Sequence, residues 1–245
     1  MDLPGIQQAL TDAGHGGWLF CDVFNRDPMA YRILGLDAKS HVSRRWFYFI
    51  PCEGEPVKLA HRVEPTVLDS LPGRQEHYLA WTELHEKLRA ILGGAGKVAM
   101  QYSPMNHVPT ISVVDAGTVE LIRSFDVDVV SSADHVQRFE SVIDDDGFRS
   151  HRETGDVVQR VKDEAFELMN KAIRDSGPIT EYQVKEFILA RFEEEGLTCE
   201  GASPIVGFND HPADPHFEPT EENAYQLHHG DTILIDLWAD RKSVV

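Results

Sequence analysis

The sequence has only three cysteines in 245 residues. Cys21, Cys52 and Cys199 share no CxxC or Cys/His ligand spacing, which excludes a disulfide framework and a zinc ribbon. They are expected as buried thiols in a reducing compartment. Long hydrophobic runs are missing too. No apolar stretch approaches the ~20 residues of a transmembrane helix, and the N-terminus has neither the basic start nor the apolar core of a secretory signal. A cytoplasmic location and no membrane partner are expected. Positive charge is scarce, with Lys+Arg 23 against Asp+Glu 41 and a net charge of −18. No basic stretch compensates, so the chain repels phosphate backbones and nucleic acid is not an expected partner. There is no HExxH helix, Gly-rich phosphate loop or GxSxG elbow.

What remains is an ordinary globular composition, 42% hydrophobic and 26% charged. The acid is skewed: from Asp134 onward there are 25 acidic and 11 basic residues, against 16 and 12 before it. Solvated helix faces are the expected source of such a skew, with a second domain of different character as the alternative.

The first half alternates strand-like and helix-like segments. Trp18–Val23 and Arg45–Ile50 are short aromatic and apolar runs, and Pro51–Pro56 has the turn chemistry of a hairpin leading into Val57–Ala60. Leu84, Leu88 and Ile91 line one face of a helix from Trp81 to Leu92 that stops at Gly93-Gly94. Val98–Gln101, Ile111–Val114 and Val127–Val130 are expected strands, and Ala116–Ser124 and Ala133–Ile143 expected helices. The acids Asp144-Asp145-Asp146 before Gly147 are expected as an exposed connection, dividing the chain into domains 1–147 and 148–245.

Past that boundary, Val157, Val161, Ala165, Leu168 and Ala172 recur at helical spacing until Ser176-Gly177-Pro178. Thr180-Glu181-Tyr182-Gln183 is a capping box opening a helix with an apolar stripe of Val184, Phe187 and Ile188, ended by Gly196. Pro204–Phe208 is an expected strand, Asn209–Asn223 a polar loop, and Thr232–Trp238 the most strand-like segment of all. Within that last strand Asp236 stands out. An ionised carboxylate among apolar neighbours costs several kcal/mol unless it faces water, is paired or binds a metal. Alternation puts it on the face shared with Leu234 and Trp238, and the local pattern alone favours a strand-end carboxylate facing water.

The segments Ser203–Phe208, Asp214-Pro215-His216-Phe217-Glu218-Pro219 and Gly230-Asp231-Thr232-Ile233-Leu234-Ile235-Asp236 together resemble the creatinase/prolidase/aminopeptidase P family of pita-bread enzymes, which includes Xaa-Pro metallopeptidases. The resemblance implies an α/β creatinase-like N-terminal domain followed by the start of an α+β pita-bread catalytic domain. It implies that Asp236 is the first metal ligand of a site for two divalent ions, and that His216 is the catalytic histidine beside the substrate. Carboxylate-rich sites suit manganese, with cobalt or zinc as substitutes. Such ions activate a water and polarise the scissile carbonyl of a peptide substrate. His211 and Trp238 are candidate substrate contacts, Trp238 standing close to where the family often has glycine. The adjacent His228 and His229 cannot share one site on an extended chain. The family's N-terminal domain also implies a homodimer.

The remaining ligands of the family, a second Asp, a His and two Glu, find no match. Ala239–Lys242 has turn character, Ser243–Val245 is expected to begin a returning strand, and Asp240 lies in the turn rather than on that strand. The chain is therefore expected to be an N-terminal portion of a longer enzyme, with weak metal binding and no activity alone. A metal-free creatinase-type amidinohydrolase, or a non-enzymatic pita-bread module that binds peptides or proteins, is the alternative.

Overall fold

A computed structural model describes residues 1–175, 177–199 and 203–241, which divide into two compact units, Met1–Val142 and Ile143–Val245. In the first unit, α1 (Leu3–Asp12), β1 (Gly17–Asp22), α2 (Pro28–Leu34), β2 (Trp46–Pro51), β3 (Val57–His61), β4 (Arg74–Tyr78), α3 (Trp81–Leu92), β5 (Lys97–Met100), α4 (Ala116–Arg123), β6 (Asp128–Ser131) and α5 (Ala133–Val136) follow in order. One six-stranded sheet runs β4-β3-β2-β1-β5-β6. The β1/β2 and β2/β3 pairs are antiparallel, and β3/β4, β1/β5 and β5/β6 are parallel.

Because successive side chains of a strand alternate faces, the sheet's aromatic runs build two cores. Trp18, Phe20, Trp46, Tyr48 and Ile50 pack with Ile6 and Leu10 of α1 and Tyr31 and Leu34 of α2. Leu19, Phe47, Phe49, Val98 and Met100 pack on the other face with Leu84, Leu88 and Leu92 of α3 and Val119 and Ile122 of α4. Burial on both faces is why β1 and β2 read as continuous apolar runs. A polar sequence hides β4, which sits at the sheet's edge with its first residue, Arg74, exposed.

Ile111–Val114 does not form the expected strand. Pro109 starts a 3-10 turn through Ile111, and the N–H groups of Val113 and Val114 both donate to the Gln101 carbonyl, so no ladder partner is engaged. The expected helix after Ala133 continues past α5 only as a π-helical turn, Gln137–Ser141. The three thiols are unpaired and half-buried rather than buried.

In the second unit the acids expected as an exposed connection form the capped first turn of α6 (Asp145–Arg174). Asp144 Oδ1 accepts from the Gly147 N–H at 2.7 Å, and Asp145 and Asp146 lie where the helix dipole favours negative charge. This 30-residue helix buries Val161, Ala165 and Met169. No helix among the described residues is long and apolar enough to cross a membrane. The Thr180 capping box is formed as expected at the start of α7 (Glu181–Glu194). Gly196, at a φ of +71°, lets the chain leave that helix through the left-handed region. It enters β7 (Leu197–Thr198), followed by β8 (Ile205–Phe208), β9 (Ile233–Asp236) and β10 (Asp240–Arg241). Asp240 and Arg241, expected in a turn, instead pair antiparallel with Thr198 and Leu197. The expected strand Ser243–Val245 and the helix stop at Ser176 lie outside the described residues.

Candidate functional site

The second unit's core explains how its ribbon presents side chains. Val206 and Phe208 of β8 turn inward with Ile233 and Ile235 of β9, against Val161 and Ala165 of α6 and Val184 and Ile188 of α7. The two strands pair antiparallel, Ile205 opposite Asp236 and Gly207 opposite Leu234. Those four residues therefore share the outward face, and Leu234 is 41% exposed there. Asp236 is exposed and ends its strand, so its charge meets water rather than the core. Anchoring one face of a strand fixes the direction of the other, which gives Asp236 a defined outward orientation.

A cleft of about 300 Å³ lies on this face, lined by Ile205, Pro212, Asp214, Pro215, Leu234 and Asp236, with Ile235 completing the wall. Its shape depends on Gly207. A Cβ there would stand 2.9 Å from Pro212 Cγ, so glycine is what lets the 3-10 turn His211–Ala213 lie against the ribbon. Asp214, which sequence reasoning left unassigned, is the second carboxylate of the cleft. Its Oδ1 accepts the backbone N–H of His216 at 2.9 Å. His216 is exposed and follows the cleft residues Asp214 and Pro215 in the chain without lining the cleft itself.

Trp238, two residues beyond Asp236, continues the outward alternation and is 37% exposed, while its carbonyl accepts from the Cys199 thiol at 3.2 Å. His211 is placed differently. Its ring lies between Phe217 and Tyr225, with centroids 4.0 and 3.7 Å away, and its Nδ1 sits 2.8 and 2.9 Å from the two carboxylate oxygens of Glu181. The structure thus brings Asp236 to an open cleft, keeps Trp238 on the same side of the chain, and ties His211 to α7.

Among the described residues no three His, Cys, Asp or Glu side chains converge into a group able to hold a metal. Asp236 alone cannot hold two ions, so these residues do not by themselves fit the dinuclear site that the resemblance implies.

Residues 149–244 match the profile of metallopeptidase family M24. No curated protein sequence matches the chain. Among solved structures the chain is similar to the dipeptidase PepE of Mycobacterium ulcerans, with a TM-score of 0.63 at 20% identity, covering 96% of this chain and 58% of that one. It is also similar to the Xaa-Pro dipeptidase of Bacillus anthracis, with a TM-score of 0.56 at 14% identity over 96% and 60% of the two chains. The prolidase of Thermococcus sibiricus gives a TM-score of 0.55 at 16% identity over 96% and 59%. At these identities the likeness is one of fold. The chain spans about three-fifths of the length of these structures. The expected fold, an α/β creatinase-like domain followed by part of a pita-bread domain, is borne out.

Proposed function

We propose, on the premise that the chain belongs to metallopeptidase family M24 through residues 149–244, that it is part of a metal-dependent hydrolase of peptide bonds, of the Xaa-Pro dipeptidase or aminopeptidase type. The observation that carries this reading is Asp236, an outward carboxylate at the end of an anchored strand inside the matched segment and on the wall of a cleft. Family membership implies divalent metal ions, with manganese proposed here and Asp236 as the one ligand this chain offers. The other ligands belong to a longer form, comparable in length to the solved dipeptidases, and activity belongs to that form. His216 is proposed as the group that meets the substrate, since its loop also supplies the cleft residues Asp214 and Pro215. Trp238 is proposed to limit the size of side chain the cleft admits. The peptide itself and a second copy of the chain are the proposed partners, in a cytoplasmic setting.

Calorimetric titration of manganese into this chain should show weak binding and no peptidase activity. Two tight sites on these 245 residues would overturn the assignment of the missing ligands to a longer form. In that longer form, Xaa-Pro dipeptides should be hydrolysed in a metal-dependent manner, and hydrolysis of longer Xaa-Pro peptides would mark the aminopeptidase type. Absence of hydrolysis of either, with metal bound, would favour a non-enzymatic peptide-binding module.

A further inference from the structure

Helix α7 carries two charges inside its buried stripe. Glu181, Val184, Lys185, Ile188 and Phe192 are its buried residues, and Glu181 has no exposed surface at all. A fully buried carboxylate is costly unless its oxygens are satisfied, and here three N–H donors from three separate places reach it. The Phe208 N–H at the end of β8 donates to Oε1 at 2.5 Å, the Tyr225 N–H donates to Oε2 at 2.7 Å, and the His211 ring donates from Nδ1 at 2.8 Å. Phe208 and Tyr225 bracket the loop that carries His216. One helical turn further on, Lys185 Nζ donates to the Pro219 carbonyl at 2.9 Å and stands 3.8 Å from Glu218, within the same loop.

The structure assigns Glu181 and Lys185 as positioning residues that clamp both ends and the middle of the 209–225 loop onto α7. The clamp holds the loop's cleft-lining residues, and His216 beside them, relative to the strand bearing Asp236. This deepens the peptidase reading and rests on it for its purpose. Backbone bonds already tie the loop's first residue to the chain before β9, since the Asn209 N–H donates to the Thr232 carbonyl at 3.0 Å. They also tie its far end to α7, since the Glu181 N–H donates to the Tyr225 carbonyl at 3.2 Å. The Glu181 side chain adds a charged acceptor where the two ends meet. It also fixes the His211 tautomer, with the proton on Nδ1 and Nε2 directed away from Glu181.

The test combines hydrogen exchange and NMR on the chain itself. In Glu181→Gln, which cannot accept from all three donors, protection of the Phe208 and Tyr225 amides should fall about ten- to a hundredfold. The His216 Cε1–H resonance should shift while the Val206 and Ile235 ladder amides keep their protection. Lys185→Met should loosen residues near Pro219 more than those near Phe208, and it carries the test if Glu181→Gln does not fold. Nitrogen-15 shifts of the wild-type ring should show His211 protonated at Nδ1. Unchanged protection and an unmoved His216 resonance in a folded variant, or a His211 proton found only on Nε2, would overturn the assignment. In a longer form active on Xaa-Pro peptides, Glu181→Gln should lower kcat more than it raises KM. A longer form that is inactive with the clamp intact would instead count against the peptidase reading alone.

Discussion

The two units use their strands in opposite ways. In the first, both faces of a six-stranded sheet are covered, and Trp18, Trp46 and Tyr48 have no exposed surface. In the second, the β8/β9 ribbon buries Val206, Phe208, Ile233 and Ile235 on one side and turns Ile205, Leu234 and Asp236 to a cleft on the other. A strand covered on both faces can only pack, whereas a strand anchored on one face can aim a polar group at a ligand. The location of the candidate site in the second unit follows from that difference.

The contrast can be broken most forcefully by mutation on the two kinds of face. Trp18→Ala removes a ring whose indole N–H donates to Gln101 Oε1 at 3.2 Å and whose centroid lies 4.3 Å from that of Phe20. Urea denaturation should show a loss of about 3–5 kcal/mol. Leu234→Ala on the open face should stay within about 0.5 kcal/mol, and a comparable loss there would mean that the outward face is packed after all.

Where the second unit turns Asp236 to water, the first buries Asp27. Asp27 is buried, caps α2 through the Ala30 N–H at 3.0 Å, and leaves Oδ2 without a partner among the described residues. Burial, reinforced by the neighbouring Asp22 carboxylate, pushes its pKa up from 3.8 to about 6. A carboxyl with a raised folded-state pKa favours the fold fully below the unfolded value and loses that contribution as pH climbs through the folded one. Its share of stability should therefore decline between about pH 4 and pH 6. Asp27→Asn keeps a capping oxygen and removes the titration. It should match wild type near pH 3.5 and exceed it at pH 8 by about 2–3 kcal/mol in denaturant titrations. An identical pH dependence in the two proteins would show that Asp27 is ionised without penalty.

Smaller effects sharpen the account of the second unit. Gly207→Ala sets a methyl group against the Pro212 ring and should cost about 1–3 kcal/mol, with chemical shift changes concentrated in the 211–216 turn. Thr180→Ala removes the acceptor 3.3 Å from the Gln183 N–H in the capping box and should cost about 1 kcal/mol by thermal melting.

How much of this was legible in the sequence follows from the same contrast. Aromatic and apolar runs marked β1, β2 and the hairpin to β3, and a 3-4 spacing marked α3 with its ends at Trp81 and Leu92. Strand β4 was missed because an edge strand can be polar, and Ile111–Val114 was misread because three β-branched residues, Ile111, Val113 and Val114, outweighed the Pro109 turn. Asp144–Gly147 looked like a connection because acids cap helices as readily as they solvate loops. Asp236 was legible as an anomaly in an apolar strand. Glu181 was not, since in a capping box it reads as a first-turn acid favoured by the helix dipole. The available signal was its place with Lys185 at buried-stripe spacing from Val184 and Ile188, a position that a solvated charge does not occupy. His211 was read as a candidate substrate contact, because its carboxylate partner, Glu181, lies thirty residues earlier in the chain.

Whether Asp236 serves as a metal ligand is decided most directly by one comparison. Hydrolysis of an Xaa-Pro dipeptide with manganese is measured for a form of the protein as long as the solved dipeptidases, wild type beside Asp236→Asn. Metal-dependent turnover in the wild type and none in a variant that melts at the same temperature is the expected result. Equal turnover in both would contradict it, because an outward carboxylate that the reaction does not need cannot be its metal ligand.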